Sequence, residues 1–168
     1  MPELQGSKRA SQRAGCLSNL HQLGLAAHLY WDDNNGNCFR FDGGATNGGS
    51  LYWFGWISGG AEGERGFDAT TGALSPYLKG RGVERCPVFN YLLPQFKLKA
   101  TNATYGYGYN LYLSTRPQLP PFRLSNIHST AQTVLFADSA QINTWQEPAS
   151  PDHPMIEEWY YLDNSEDP

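Results

Sequence analysis

Four histidines, three cysteines and one acidic–amide run are the residues here whose types serve catalysis or metal binding. His21 and His28 lie seven apart. On a helix that spacing puts them on one face but about 10 Å apart along the axis, too far to share an ion. They read as polar helix-face histidines, and His128 and His153 fall in turn-rich segments without a partner at motif spacing. Cys16, Cys38 and Cys86 lack the C-x-x-C spacing of a structural zinc site. They read as one disulfide with one thiol left over, the pairing open to Cys16–Cys86 or Cys38–Cys86. Cys16 is slightly preferred, because that bridge would clamp the body onto an N-terminal helix.

Asp32-Asp33-Asn34-Asn35-Gly36-Asn37 has oxygen ligands at calcium-loop density. The twelfth position, where a bidentate glutamate is needed, is Gly43 or Gly44 when counted from Asp32 or Asp33. Helix stop and turn is the better reading. Gly80-Arg81-Gly82 has no strand ahead of it and is a turn. Asn102-Ala103-Thr104 matches only the three-residue glycosylation pattern. The chain has no G-x-S-x-G, H-E-x-x-H or phosphate-loop pattern. No catalytic, cofactor-binding or metal-ligating residue is assigned, and no enzyme activity is expected.

Trp53, Trp56, Tyr105, Tyr107 and Tyr109 offer flat rings with polar tips, the material of a sugar-stacking platform. In a small domain such rings more often form the core, and that is the preferred reading. The composition agrees with a β-rich, turn-rich body: 18 glycines, 10 tyrosines and 5 tryptophans in 168 residues, with only 17% charged. A net charge of −4 gives no reason to expect nucleic acid as a partner. The length suits one domain, 1–168.

The elements that must position these residues follow from periodicity. Leu4 to Asp32 is expected to be one helix, basic at Lys8, Arg9 and Arg13 and then amphipathic, with Leu17, Leu20, Gly24, Ala27 and Trp31 as its buried stripe. Asn34-Asn35-Gly36 closes it. The glycine-rich segment 43–49 reads as a loop, and 51–57 as one aromatic strand. Ser75 and Pro76 start a short helix as cap and first helical residue. The run 104–113 alternates large tyrosines with glycines on a strand's two faces. Pro117 to Pro121 is a rigid loop, 133–137 a buried strand, and 155–162 a last strand. The expected class is α+β: the helix of 1–33 on a small antiparallel sheet within a β-rich part of 34–168.

Several segments resemble the type IV pilin-like superfamily, closest to type II secretion G-like pseudopilins. Cys16-Leu17-Ser18-Asn19-Leu20-His21-Gln22-Leu23-Gly24-Leu25-Ala26, with Tyr30 and Asp33-Asn34-Asn35-Gly36, resembles the family's Cys-x-x-Asn-Leu helix with its Asn/Gly turn. Cys86-Pro87, Tyr105-Gly106-Tyr107-Gly108-Tyr109-Asn110 and Thr133-Val134-Leu135-Phe136-Ala137-Asp138-Ser139 resemble its later signatures. Met1-Pro2-Glu3-Leu4 through Arg13 resembles the stretch after the family's apolar half-helix, so such a half-helix is expected to precede Pro2. The family's closing His…Asp-Gly-His element is absent. The resemblance implies an extracytoplasmic, inner-membrane-anchored subunit that self-assembles with other pilin-like subunits and meets secretion or pilus machinery. The competing expectation is a secreted carbohydrate-binding module built on the aromatic strands.

Overall fold

The computed structural model describes residues 2–80, 82–83, 85–103, 105–114 and 119–163, with side chains from Gln5 onward. Its class is α+β: one long N-terminal helix packed on small, mostly antiparallel sheets.

Helix α1 (Pro2–Asp33) has 32 residues, a rod of roughly 48 Å at 1.5 Å per residue. Asn35 (φ 55°) and Gly36 (φ 74°) adopt the left-handed conformation just past its end. The Gly36 N–H donates back to the Trp31 carbonyl at 2.8 Å, closing the helix as the sequence indicates. The buried stripe is rotated from the expected one. Cys16, Leu23, Ala26, Ala27 and Trp31 are buried, Leu20 and Tyr30 half-buried, whereas Leu17 is 59% exposed. A side chain at Gly24 would meet open space. Leucines at 17, 20, 23, 25 and 29 populate most of the helix circumference, so apolar spacing alone fits two stripes. The polar residues break the tie, because Gln12 and Asn19 lie beside the Cys16 stripe and bond to the body.

The first sheet is a meander of β1 (Asp42–Thr46), β2 (Gly49–Tyr52), β3 (Gly55–Ser58) and β4 (Phe67–Asp68). The segment 43–49, expected as a loop, is mostly strand. Asn47 (φ 51°) and Gly48 (φ 73°) form the two-residue turn joining β1 to β2. An Asn-Gly pair favours that turn because both central residues need positive φ. The expected aromatic strand 51–57 is likewise a hairpin, turning at Trp53-Phe54, with Tyr52 opposite Gly55.

In the second sheet β5 (Tyr107–Asn110) lies between β6 (Phe136–Asp138), antiparallel, and β9 (Tyr161–Leu162), parallel. Tyr105, Tyr107 and Tyr109 are fully buried. A Cβ at Gly106 would stand 2.2 Å from Cys86 Cβ, so the small face is as tightly covered as the large one. β6 is shorter than the expected 133–137 strand: Val134 is 55% exposed, and only Phe136 of that run is buried. The last expected strand divides between sheets, into β8 (Met155–Glu158), paired with β7 (Ala140–Asn143), and β9. Short helix α2 (Ser75–Leu78) includes Ser75, so its cap is Leu74, which has no side-chain acceptor.

One continuous apolar cluster joins α1, the β2–β3 turn, α2 and the β5–β6 pair. Phe54 stacks on Tyr105 and Phe39 on Tyr109, with ring centroids 3.7 and 4.2 Å apart. Trp53 is buried and donates its indole N–H to the Tyr160 carbonyl at 2.9 Å. Leu23→Asp is expected to destabilise the chain by roughly 4 kcal/mol, and Leu17→Asp by less than about 0.5 kcal/mol. Urea unfolding measures both, and equal losses would place the stripe wrongly.

Candidate functional site

The residues that first invite a chemical reading are dispersed. His21, His28, His128 and His153 are all exposed, as are Lys8, Arg9 and Arg13. Asp33 accepts a hydrogen bond from the Tyr77 hydroxyl at 2.9 Å, tying the end of α1 to α2 rather than facing a cation. Trp53 and the three tyrosines are core, and Trp56 is half-buried with its indole N–H on the Thr46 carbonyl. Arg81 and Thr104, and the run 115–118 with Pro117, lie outside the described residues.

Two places do concentrate chemistry. The first is where the loop 85–87 meets α1. Gln12 Nε2 donates to the Pro87 carbonyl at 3.1 Å, and Asn19 Nδ2 to the Arg85 carbonyl at 2.9 Å and the Tyr107 hydroxyl at 3.1 Å. Between them Gly15 lets Pro87 approach, since a Cβ there would lie 3.1 Å from its ring. Cys16 and Cys86 sit inside this seam with their sulfurs 3.7 Å apart, both as buried thiols. Asp138 Oδ1 is 3.8 Å from Cys86 Sγ, and the three ligand atoms all lie within 4.8 Å of one another. Of the described residues these are the ones placed to hold a soft metal ion. Burial is the main reason the Cys86 thiol is pushed up to about 11, so it is a neutral thiol near pH 7. Cys38 is buried elsewhere, and burial again pushes its thiol up to about 11.

A disulfide bond is about 2.05 Å long, so Cys16 and Cys86 need only a small approach to form one. In an oxidised-glutathione buffer, peptide mass mapping should recover Cys16 linked to Cys86 with Cys38 free. A Cys38–Cys86 peptide, or three free thiols, would contradict this placement.

The second place is a buried charge network that sequence patterns did not reveal. Glu157 is fully buried on β8 and surrounded by donors. Lys97 Nζ reaches it at 3.0 Å, Lys99 Nζ at 2.9 Å and Asn143 Nδ2 at 2.8 Å, and Gln141 donates to it as well. Lys97 also pairs with Glu62, which holds Arg65 at 3.0 Å. Burial pushes the Glu157 carboxyl up, but Lys99, Lys97 and Asn143 outweigh it and hold the group below its ordinary value. Glu158 is the opposite case. It is fully buried, and its carboxyl oxygens have no hydrogen-bond partner among the described residues. Burial, reinforced by the neighbouring Glu157 charge, pushes it up to about 8. A signal for this network existed in the alternation Lys97-Leu98-Lys99 and in two glutamates inside the apolar run 155–162. Charges in a buried strand need partners, and the two segments partner one another.

No protein-family model, curated protein or solved structure matches this chain.

The sign of the pH effect follows from proton binding. Folded Glu158 holds its proton more tightly than the unfolded residue, whose ordinary value is 4.5. Stability therefore falls as pH rises from about 4.5 through about 8, and the loss is complete above that range. Glu158→Gln should abolish this share of the decline. Denaturant unfolding from pH 5 to 9 checks it, and identical slopes for both proteins would refute the assignment.

Proposed function

We propose that the chain is a structural subunit that acts by polymerisation through α1, in a pilin-like filament of the type II secretion or type IV pilus class. The projecting end of α1 carries this reading. Every described side chain from 5 to 14 is exposed except Gln12, which is half-buried and bonded to the Pro87 carbonyl, so the helix is solvent-exposed up to that anchor. A short exposed helix is marginal in water without a tertiary partner. Beyond it, Leu17, Leu25 and Leu29 are 59%, 52% and 51% exposed on the side facing away from the core. A basic stretch, Lys8, Arg9 and Arg13, precedes them and suits acidic headgroups or the acidic side of a neighbouring subunit.

In this reading residues 12–31 belong to the head, and the free face of α1 packs against equivalent helices. The partners are further pilin-like subunits and the assembly machinery at the inner membrane, with no catalytic step in the subunit. The resemblance of the Cys16–Ala26 segment to pseudopilins points the same way.

A photocrosslinking residue at Leu25, in the whole gene product expressed in its own cells, tests this. It should yield a ladder of self-crosslinked species, reduced by Leu17→Arg. A gene product that stays monomeric, with no crosslink to another copy or to a pilin-like subunit, would overturn the proposal.

A further inference from the structure

The charge network has a second face, and from it we propose that the cleft between β3, β7 and the segment that follows β8 binds a pyranose ring of a polysaccharide. This goes beyond the filament reading and does not depend on how α1 assembles. The cleft has a volume of about 250 Å³, and Trp145, Trp159, Tyr160, Gln141, Gln146 and Tyr105 contribute to its walls. That is slightly below the range of drug-sized pockets, roughly 300–1,000 Å³. Its size suits one ring.

The chemistry of the walls selects among ligands. A sugar ring has apolar C–H faces that lie on aromatic rings and a rim of hydroxyls that need donors and acceptors. Trp145 stands 64% exposed and Trp159 half-buried, both bordering the cleft, which places indoles beside the amides of Gln141 and Gln146. A wholly apolar ligand would leave those amides and Arg65 without exchange for lost water. A phosphate group would have to compete with Glu62 and Glu157 for Arg65, Lys97 and Lys99, which those carboxylates already hold.

One group independently points to a missing partner. Tyr105 is fully buried and lines the cleft, yet its hydroxyl makes no hydrogen bond among the described residues. Buried hydroxyls are nearly always paired. Burial and the nearby Glu158 carboxyl keep it protonated, hence able to donate. A ring hydroxyl would supply the acceptor.

The charge network holds this surface in place. Gln141 donates to Glu157, Asn143 Nδ2 donates to the Gln146 Oε1 at 2.8 Å, and Arg65 donates to the Lys99 carbonyl at 2.9 Å. The Lys99 ammonium lies 4.5 Å from the Trp159 ring centre and 5.3 Å from that of Tyr160, fixing both rings. The ligand groups are set before a ligand arrives, which lowers the ordering cost of binding.

The test titrates the ¹⁵N-labelled protein with cellohexaose, chitohexaose and hexagalacturonate, following the indole N–H signals of Trp145 and Trp159. At least one probe should shift both signals saturably; the neutral and acidic arms identify the kind of ring. Trp145→Ala and Tyr105→Phe should each weaken that binding by about tenfold or more. Trp145→Ala should keep the wild-type unfolding midpoint, because its side chain lies on the surface. No saturable shift with any probe at millimolar concentration, or unchanged affinity in Trp145→Ala, would overturn the proposal. Neither result bears on self-association through Leu25.

Discussion

The seam between α1 and the loop 85–87 is the contact around which the rest of the chain is arranged. Gln12, Gly15, Cys16 and Asn19 lie on one side of the helix, at spacings of three and one, and each meets Arg85, Cys86 or Pro87. Two of these contacts saturate backbone carbonyls of a loop that has no strand partner of its own. The seam also fixes depth: Gly106 lets Cys86 press against β5, and Asn19 reaches the Tyr107 hydroxyl. With helix, loop and central strand locked together, Leu23, Ala27 and Trp31 are carried into the core beside Phe39, Trp53 and Phe136. A rotation of α1 by one residue would lose all of these bonds together, and that is why Leu17 faces water.

A different constraint governs the far side of the body. Glu157, Glu158, Lys97 and Lys99 are buried in a part of the fold that is small for so much charge. Desolvating ions costs more than a simple pair returns unless the remaining lone pairs and protons are also bonded. Glu157 meets that condition, with four side-chain donors. Glu158 meets the cost by holding its proton instead. Apolar residues would fill this volume as well or better, so the retained network suits a surface that needs fixed polar groups.

Much of the architecture is legible in the sequence where a signal is local. The length of α1, its Asn-Gly stop and the Tyr/Gly alternation of β5 all follow from single-segment rules. The Asn47-Gly48 turn was equally local, but the surrounding glycines masked the β-strand pattern on either side of it. Stripe choice on α1 was not local, because leucines on most sides made two faces equivalent and only the distant loop 85–87 distinguishes them. The charge network was least legible. Lys97 and Glu157 are 60 residues apart, and nothing in either segment names the other. The aromatic residues show the same limit: Trp53 and Tyr105 went to the core, whereas Trp145 and Trp159, which no motif singled out, border the cleft.

The central claim is that α1 has two owners, residues 12–31 belonging to the head and residues 5–11 to an assembly. Amide hydrogen exchange along the helix tests this most directly, because exchange reports local opening residue by residue. In the isolated chain, amides of 16–31 should exchange only through large-scale unfolding. Those of 5–11 should exchange nearly as fast as an unstructured peptide, and should slow sharply once the whole gene product has assembled. Uniform protection along the whole of α1 in the isolated monomer, unchanged on assembly, would contradict the account.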